Sequence, residues 1–332
     1  MPHQRIRWLA GLTVATGLAL CGPVVVAREA AKPIEITSFS GAYLAARVAE
    51  GDNDLDNAIT YYKQALAFAP DDVQLQQSLM LTLISQGRFD ESLPYADKLK
   101  EVPDIERFSR LALAVDTFRK KDYQKAEYWL KLSLQADLDR LISGVMTGWA
   151  RLGAGHGKDA VSYVAKLKGP EWFDLFKSYH RALIADVAGQ KDKAADAYKS
   201  TLENMAAGGA APETWLRNAE AYARFLAREG RKDEALAVLD KSEEFVTGRT
   251  EIEALRESIG KGEEIAPMVA SPADGASEIL VNLATALNRG GGEPFVRLYL
   301  EYALALKPDS DIALMQIAGV AEQMKDSERA IS

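Results

Sequence analysis

Small residues recur along the chain at a fixed step of 34 positions. They are Ala58, Ser92, Ala126, Ala160 and Ala194, and each lies in a stretch whose apolar residues have helical spacing. The residues one helical turn after them are mostly large: Tyr62, Ala96, Leu130, Val164 and Tyr198. A fixed repeat of this length predicts a stacked array of helix pairs, in which every pair buries its apolar face against its neighbours.

A second set of residues follows the same step, five positions earlier. It consists of Asn53, Gly87, Lys121, Gly155 and Gly189. Glycine and asparagine tolerate the left-handed backbone that ends a helix, so these positions are predicted turns between the two helices of each pair. Lys121 is the exception in residue type.

The pattern resembles the tetratricopeptide repeat (TPR), a helix-turn-helix unit of 34 residues. The best matches are "GDNDLDNAITYYKQALAFAPDD" (51–72) and "GRKDEALAVLD" (230–240), although Ser92 replaces the usual Ala and the closing Pro occurs only at Pro70 and Pro308. The resemblance implies an all-α fold of about six to eight repeats, wound into a right-handed superhelix with a concave face.

The repeat divides the chain into segments. The step from Ala194 to Ala235 is 41 residues, and its excess coincides with "AAGGAAP" (206–212), a composition typical of a flexible spacer. We therefore expect a signal peptide (1–27), a linker (28–38), repeats 1–5 (39–208), repeat 6 with an extra helix (209–260), a loop (261–276) and repeats 7–8 (277–332). The eighth repeat is incomplete, which predicts either a longer protein or a segment that covers its open end.

The N-terminus has the features of an export signal. Arg5 and Arg7 precede an apolar run of 13 residues, and Val25 and Ala27 suit signal peptidase cleavage before Arg28. Two alternatives remain: a lipoprotein with its lipid on Cys21, or an uncleaved membrane anchor. These would be the only attachments to a membrane. All three predict that the body of the protein lies outside the cytoplasm, as a periplasmic protein.

The family register also suggests which residues line the concave face. In repeat 6 they are Arg217, Glu220, Arg224 and Ala227. In repeats 3 to 5 the side chains are largely aromatic or aliphatic, which is typical of a groove that holds an apolar peptide or helix, or of a stripe buried by tight winding. The candidate groove residues are Phe108, Leu111, Val115, Phe118, Val145, Trp149, Phe176, Tyr179 and Leu183.

The sequence contains no motif that predicts a catalytic site. The segment "GAGHGKDA" (153–160) lacks the first glycine of a phosphate loop, since Leu152 stands there, and Asp159 replaces the Ser or Thr that binds magnesium. After signal cleavage only His156 and His180 remain as histidines, with no carboxylate cluster beside them in the sequence. We expect no enzyme, no cofactor and no metal.

Charge and composition narrow the partners. The net charge of −8 becomes −10 after removal of the signal, which disfavours nucleic acid. The chain has one cysteine, within the signal, so the mature protein would have no disulfide. The sequence therefore predicts a scaffold or adaptor that binds a protein or peptide in the bacterial cell envelope. The alternative is a TPR component of an envelope polysaccharide synthesis or export machine; an enzyme with an unrecognised site is a third hypothesis.

Overall fold

Helices connected by short turns make up the chain. The structure is a computed structural model that describes residues 36–133, 136–288 and 293–323, and these residues contain seventeen helices and no strand. The helices are α1 (Phe39–Gly51), α2 (Leu55–Phe68), α3 (Val73–Ser85), α4 (Phe89–Leu99), α5 (Glu106–Arg119), α6 (Tyr123–Lys131), α7 (Asp137–Gly153), α8 (Gly157–Ala165), α9 (Phe173–Val187), α10 (Lys191–Glu203), α11 (Met205–Ala210), α12 (Pro212–Arg228), α13 (Lys232–Phe245), α14 (Thr250–Lys261), α15 (Pro272–Leu287), α16 (Glu293–Leu306) and α17 (Asp311–Gln323).

The turn within each helix pair has one left-handed residue at the position that the 34-residue step predicts. The φ angles are 58° at Asn53, 74° at Gly87, 59° at Lys121, 88° at Gly155 and 69° at Gly189. Lys121 adopts this conformation although a side chain disfavours it by roughly 1–2 kcal/mol. Its backbone N–H donates to the carbonyl of Phe118 at 2.9 Å, and so continues the hydrogen bonding of the helix end. The repeat geometry therefore overrides the residue preference.

The small residues of the repeat lie where the two helices of a pair cross. Ala58, Ser92, Ala126, Ala160 and Ala194 are all 0% exposed. Each lies in the second helix of its pair and faces the first helix closely, where a larger side chain would not fit. The prediction of a helix-pair stack with a 34-residue period is confirmed.

The stack runs from α1 to α14; each helix packs against the next, except that α10 packs against α12 and the short α11 lies against α9 and α12. A first apolar cluster joins residues of α1, α2 and α3, and a second, larger cluster extends from Met80 to Val320. The C-terminal pair departs from this sequential order. Helix α15 packs against α5, α7, α9 and α12, and helix α16 packs against α3, α4 and α5. The pair thus lies across the first helices of repeats 2 to 6.

Two segments differ from their sequence-based expectations. Part of the predicted flexible spacer forms the short helix α11, in which Gly208 packs directly against the indole of Trp215. Helix α15 begins at Pro272, inside the predicted loop, because the side chain of Ser271 accepts a hydrogen bond from the backbone N–H of Asp274 and Pro272 suits the first helical position. The predicted extra helix forms α14.

The signal peptide and most of the linker lie outside the described residues, as does the end of the eighth repeat beyond α17. No helix in the described ranges combines the length and apolarity that crossing a bilayer requires. The predicted cleavage before Arg28, the lipid on Cys21 and the anchor therefore stay predictions.

Candidate functional site

The nine candidate groove residues come together on one face of the stack. They lie on the first helices of repeats 3, 4 and 5, which are α5, α7 and α9. Their side chains are 0–7% exposed, from Phe108 at 7% to Trp149, Val115 and Tyr179 at 0%. These nine residues define the inner face of the array, and their side chains are buried.

The chain's own C-terminal helix pair covers this inner face. The hydroxyl of Tyr302 on α16 donates to the carbonyl oxygen of Phe108 at 3.0 Å. The ring of Phe295 stacks on that of Phe108 with 6.0 Å between centroids. On α15, Gly275 lies against Trp149 so closely that a Cβ there would overlap the indole ring. The inner face is occupied from within the molecule.

A chain of hydrogen bonds joins α15 to the inner face. Trp149 Nε1 donates to His180 Nδ1 at 3.1 Å, and His180 Nε2 lies 3.2 Å from Asn282 Oδ1. Because Nδ1 accepts, Nε2 carries the proton and donates to Asn282. The amide of Asn282 in turn donates to Glu278 Oε1 at 2.9 Å. Every polar side chain of this buried chain is thus satisfied.

Glu278 is the centre of the buried polar network. Arg217 of α12 donates to both of its carboxylate oxygens, at 2.5 and 2.7 Å, and the hydroxyl of Tyr179 donates to Oε1 at 3.0 Å. Burial alone would raise the pKa of Glu278, but the charge and hydrogen bonds of Arg217 outweigh it and lower that pKa to about 2. For His180, burial lowers the pKa to about 4. At neutral pH the network therefore contains a neutral imidazole and one closed ion pair.

Helix α16 is attached at the other end of the inner face by Arg297. Its guanidinium donates to the carbonyl of Ser85 at 2.6 Å, to Gln86 Oε1 at 3.2 Å and to Asn53 Oδ1 at 3.3 Å. Arg297 is 2% exposed. These contacts reach the turn residues of repeats 1 and 2, so the C-terminal pair connects to nearly the whole length of the array.

Sequence reasoning did not identify this internal occupant, although α15 carries a signal for it. Ten consecutive residues of α15, from Gly275 to Ala284, are buried, so the helix is covered on all sides. A helix that is apolar nearly all round is typical of a core position. Assigning α15 and α16 to an ordinary terminal repeat hid this.

Similarity to known proteins is found at the level of the fold and not of the sequence. No family model matches the sequence, and no curated protein matches it. Among solved structures, a tetratricopeptide repeat protein from Parabacteroides merdae aligns over 80% of this chain and 98% of its own, with a TM-score of 0.53 and 14% identity. This chain has the fold of a TPR solenoid.

Two further structures align less closely. The structure of Naa15/Naa10 bound to HypK-THB aligns over 89% of this chain and 57% of its own matched chain, with 16% identity and a TM-score of 0.39. The structure of yeast Tom70 aligns over 89% of this chain and 83% of its own, with 14% identity and a TM-score of 0.24.

One cleft lies next to α12, the first helix of repeat 6. Its volume is about 610 Å³, and it is lined by residues of α12, α14, α15 and α17 and of the segments 262–270 and 307–310. Three of the four repeat-6 positions predicted from the register, Arg217, Glu220 and Arg224, line it. Arg224 donates to Glu220 at 2.8 Å and to the carbonyl of Ala266 at 3.4 Å, which holds the segment against α12.

The remaining sequence candidates occupy structural positions. Gly155 is the left-handed turn residue between α7 and α8, and His156 follows it on the surface. His180 is fully buried in the network described above. Across the described residues no three His, Cys, Asp or Glu side chains are grouped to hold a metal ion.

Proposed function

We propose that this TPR solenoid is a non-catalytic protein-interaction scaffold of the bacterial cell envelope. The observation that carries the proposal is the fold itself: a continuous stack of helix pairs presents long, rigid surfaces, which solenoids use to bind other proteins. The buried histidine serves packing and hydrogen bonding in this proposal, because both ring nitrogens are engaged by other side chains.

The binding mode differs from that of an open groove. A partner seated on Phe108, Trp149 or Tyr179 would have to displace α15 and α16 together with the Glu278 network. Binding by the nine candidate residues therefore stays a prediction, and it would require this pair to leave the inner face. The surfaces available without such a change are the outer faces of the stack and the open cleft beside α12.

Site-specific photo-crosslinking in the native host tests the scaffold function. A photoreactive residue is placed singly at Tyr128 and Trp172, which are 55% and 43% exposed, and at Met315, which is 60% exposed beside the cleft. A scaffold is expected to give a discrete crosslinked protein at one or more sites. If that partner belongs to polysaccharide synthesis or export, the alternative proposal gains support. Absence of any crosslinked protein at all three sites contradicts the scaffold function.

The proposed location rests on the export signal. A C-terminal fusion to a phosphatase that is active only outside the cytoplasm should show activity with residues 1–27 present and lose it when they are deleted. Cleavage before Arg28 is checked by N-terminal sequencing of the purified protein. Activity that does not depend on these residues would overturn the proposed envelope location and leave the scaffold function standing.

A further inference from the structure

The cleft beside α12 combines an apolar floor with a carboxylate rim. Its floor includes Leu255, Ile265, Met268 and Val269, which come from α14 and from the segment 262–270. Val269 is 3% exposed and anchors that segment in the core. Met315 of α17 lies at the open side with 60% of its surface exposed. The volume of about 610 Å³ lies within the range of roughly 300–1,000 Å³ typical of ligand pockets, so the cleft can take several side chains of a bound segment.

The charges around the cleft are unbalanced. Seven carboxylates and three cations line it, which gives a net charge of −4. Arg217 and Arg224 are already engaged with Glu278 and Glu220. Lys307 is the one other cation among the lining residues.

Four of the seven lining carboxylates form no ion pair within the described part of the chain: Glu264, Asp274, Asp309 and Asp311. Glu251, in contrast, is 4.0 Å from Arg249. A ligand that carries cations would therefore gain ion pairs that the described residues do not supply to these four carboxylates.

We propose that this cleft binds a basic, amphipathic segment of a partner protein. Apolar side chains of the segment would contact the floor, and its lysines or arginines would face Glu264, Asp309 and Asp311. The inference rests on the proposed scaffold function and specifies where and by what chemistry the partner binds. A metal ion is disfavoured as the occupant because no group of three ligating side chains occurs among the described residues.

Two other occupants fit the charge less well. Residues 324–332, "MKDSERAIS", carry two cations and two carboxylates, so they would leave the rim uncompensated. A second copy of this chain has a net charge of −8 before signal removal and is repelled overall. Both occupants are nevertheless separate outcomes of the experiment below.

The test uses the full-length protein in its native host, with the photoreactive residue at Met315. The crosslinked segment is identified by mass spectrometry. A rim variant carries Glu264→Gln, Asp309→Asn and Asp311→Asn. A matched control makes the same change in net charge at exposed carboxylates elsewhere: Asp71→Asn, Glu171→Gln and Asp192→Asn. The expected result is a basic segment of another protein whose crosslinking falls about tenfold in the rim variant only, as loss of three exposed ion pairs implies.

The opposing outcomes separate this inference from the scaffold function. A crosslinked segment that is not basic, or whose yield is equal in both variants, overturns the cleft assignment. So does a crosslink to residues 324–332 or to a second copy. Crosslinks at Tyr128 or Trp172 but not at Met315 also overturn it, while the scaffold function stands. Absence of crosslinks at all three sites contradicts both.

Discussion

The indole N–H of Trp149 donates to Nδ1 of His180, and this bond determines the tautomer of the histidine. With Nδ1 accepting, the proton lies on Nε2 and points at Asn282 Oδ1. A second proton on His180 would place two N–H groups against each other at Trp149. Helices α7 and α9 are therefore joined by a bond that exists only while the imidazole is neutral, whereas the bond from Nε2 to Asn282 of α15 can form in both protonation states.

The first prediction concerns pH. Because the pKa of His180 is lowered from 6.5 to about 4, the unfolded chain binds a proton at a pH where the folded chain does not. The contribution of His180 to the free energy of unfolding is therefore fully present above pH 6.5 and is lost as the pH falls toward 4. From pH 7 to pH 5 the His180 contribution should fall by about 2 kcal/mol. The free energy of unfolding, from urea titrations followed by circular dichroism, measures this loss.

The variant His180→Gln can preserve an acceptor for Trp149 and a donor for Asn282 without titrating. Between pH 7 and pH 5, the free energy of unfolding of this variant should fall by about 2 kcal/mol less than that of the wild type. The control His156→Gln alters a histidine exposed in the turn before α8 and should keep the wild-type pH dependence. Equal slopes for wild type and His180→Gln would show that His180 does not link protonation to folding. The ion pair of Glu278 also contributes stability, but this contribution is lost only below pH 4.5, the ordinary pKa of a glutamate.

A second prediction concerns the contact between α15 and α7. Gly275 has no room for a side chain because Trp149 occupies the space. Gly275→Ala should destabilise the protein by roughly 1–3 kcal/mol, since either the helix or the indole must shift. Thermal unfolding and urea titration measure the change.

Gly319 provides the control for that substitution. It also lies inside a helix, α17, but apart from its own helical turn no described residue has an atom within 4 Å of a Cβ placed there. Gly319→Ala should be neutral or should stabilise the helix by up to about 1 kcal/mol. If both glycine variants behave alike, the close contact at Trp149 does not limit the packing of α15.

A third prediction concerns the buried ion pair. Arg217→Met leaves the carboxylate of Glu278 in the core with Tyr179 and Asn282 but without its cation, which should cost about 3–5 kcal/mol. Adding Glu278→Gln removes the uncompensated charge, so the double variant should be more stable than Arg217→Met alone. The comparison pair is Lys191–Glu229, with Lys191 66% exposed, where Lys191→Met should have a much smaller effect. A double variant less stable than Arg217→Met would contradict this account.

The array could be predicted from the sequence because its determinants are local. A turn that needs a left-handed residue and a crossing that needs a small side chain recur at one step, so Gly155 and Ala160 identify a repeat without any long-range information. Lys121 shows the limit of residue preference: its type disfavours the turn, and its place in the period decides the conformation.

The closure of the inner face could not be predicted in the same way. It depends on contacts between residues about 100 to 200 positions apart, such as Tyr179 with Glu278 and Phe108 with Tyr302. The 34-residue period predicts how each repeat packs against the next. It does not predict which distant helices will pack across several repeats. The register predicted a set of groove residues; it contained no information that α15 and α16 contact Phe108, Trp149 and Tyr179.

The last prediction returns to the residues that define the period. Ala126 and Ala160 are fully buried where the second helix of a pair crosses the first. Replacing either with Leu adds volume at a crossing with no free space and should cost roughly 1–3 kcal/mol. Ala67→Leu is the matched control, because Ala67 lies exposed on α2 and the added side chain can remain in solvent. Urea titration should show a lower unfolding midpoint for the buried substitutions alone. If Ala160→Leu were as stable as Ala67→Leu, close approach at the crossing would not explain the small residue at every thirty-fourth position.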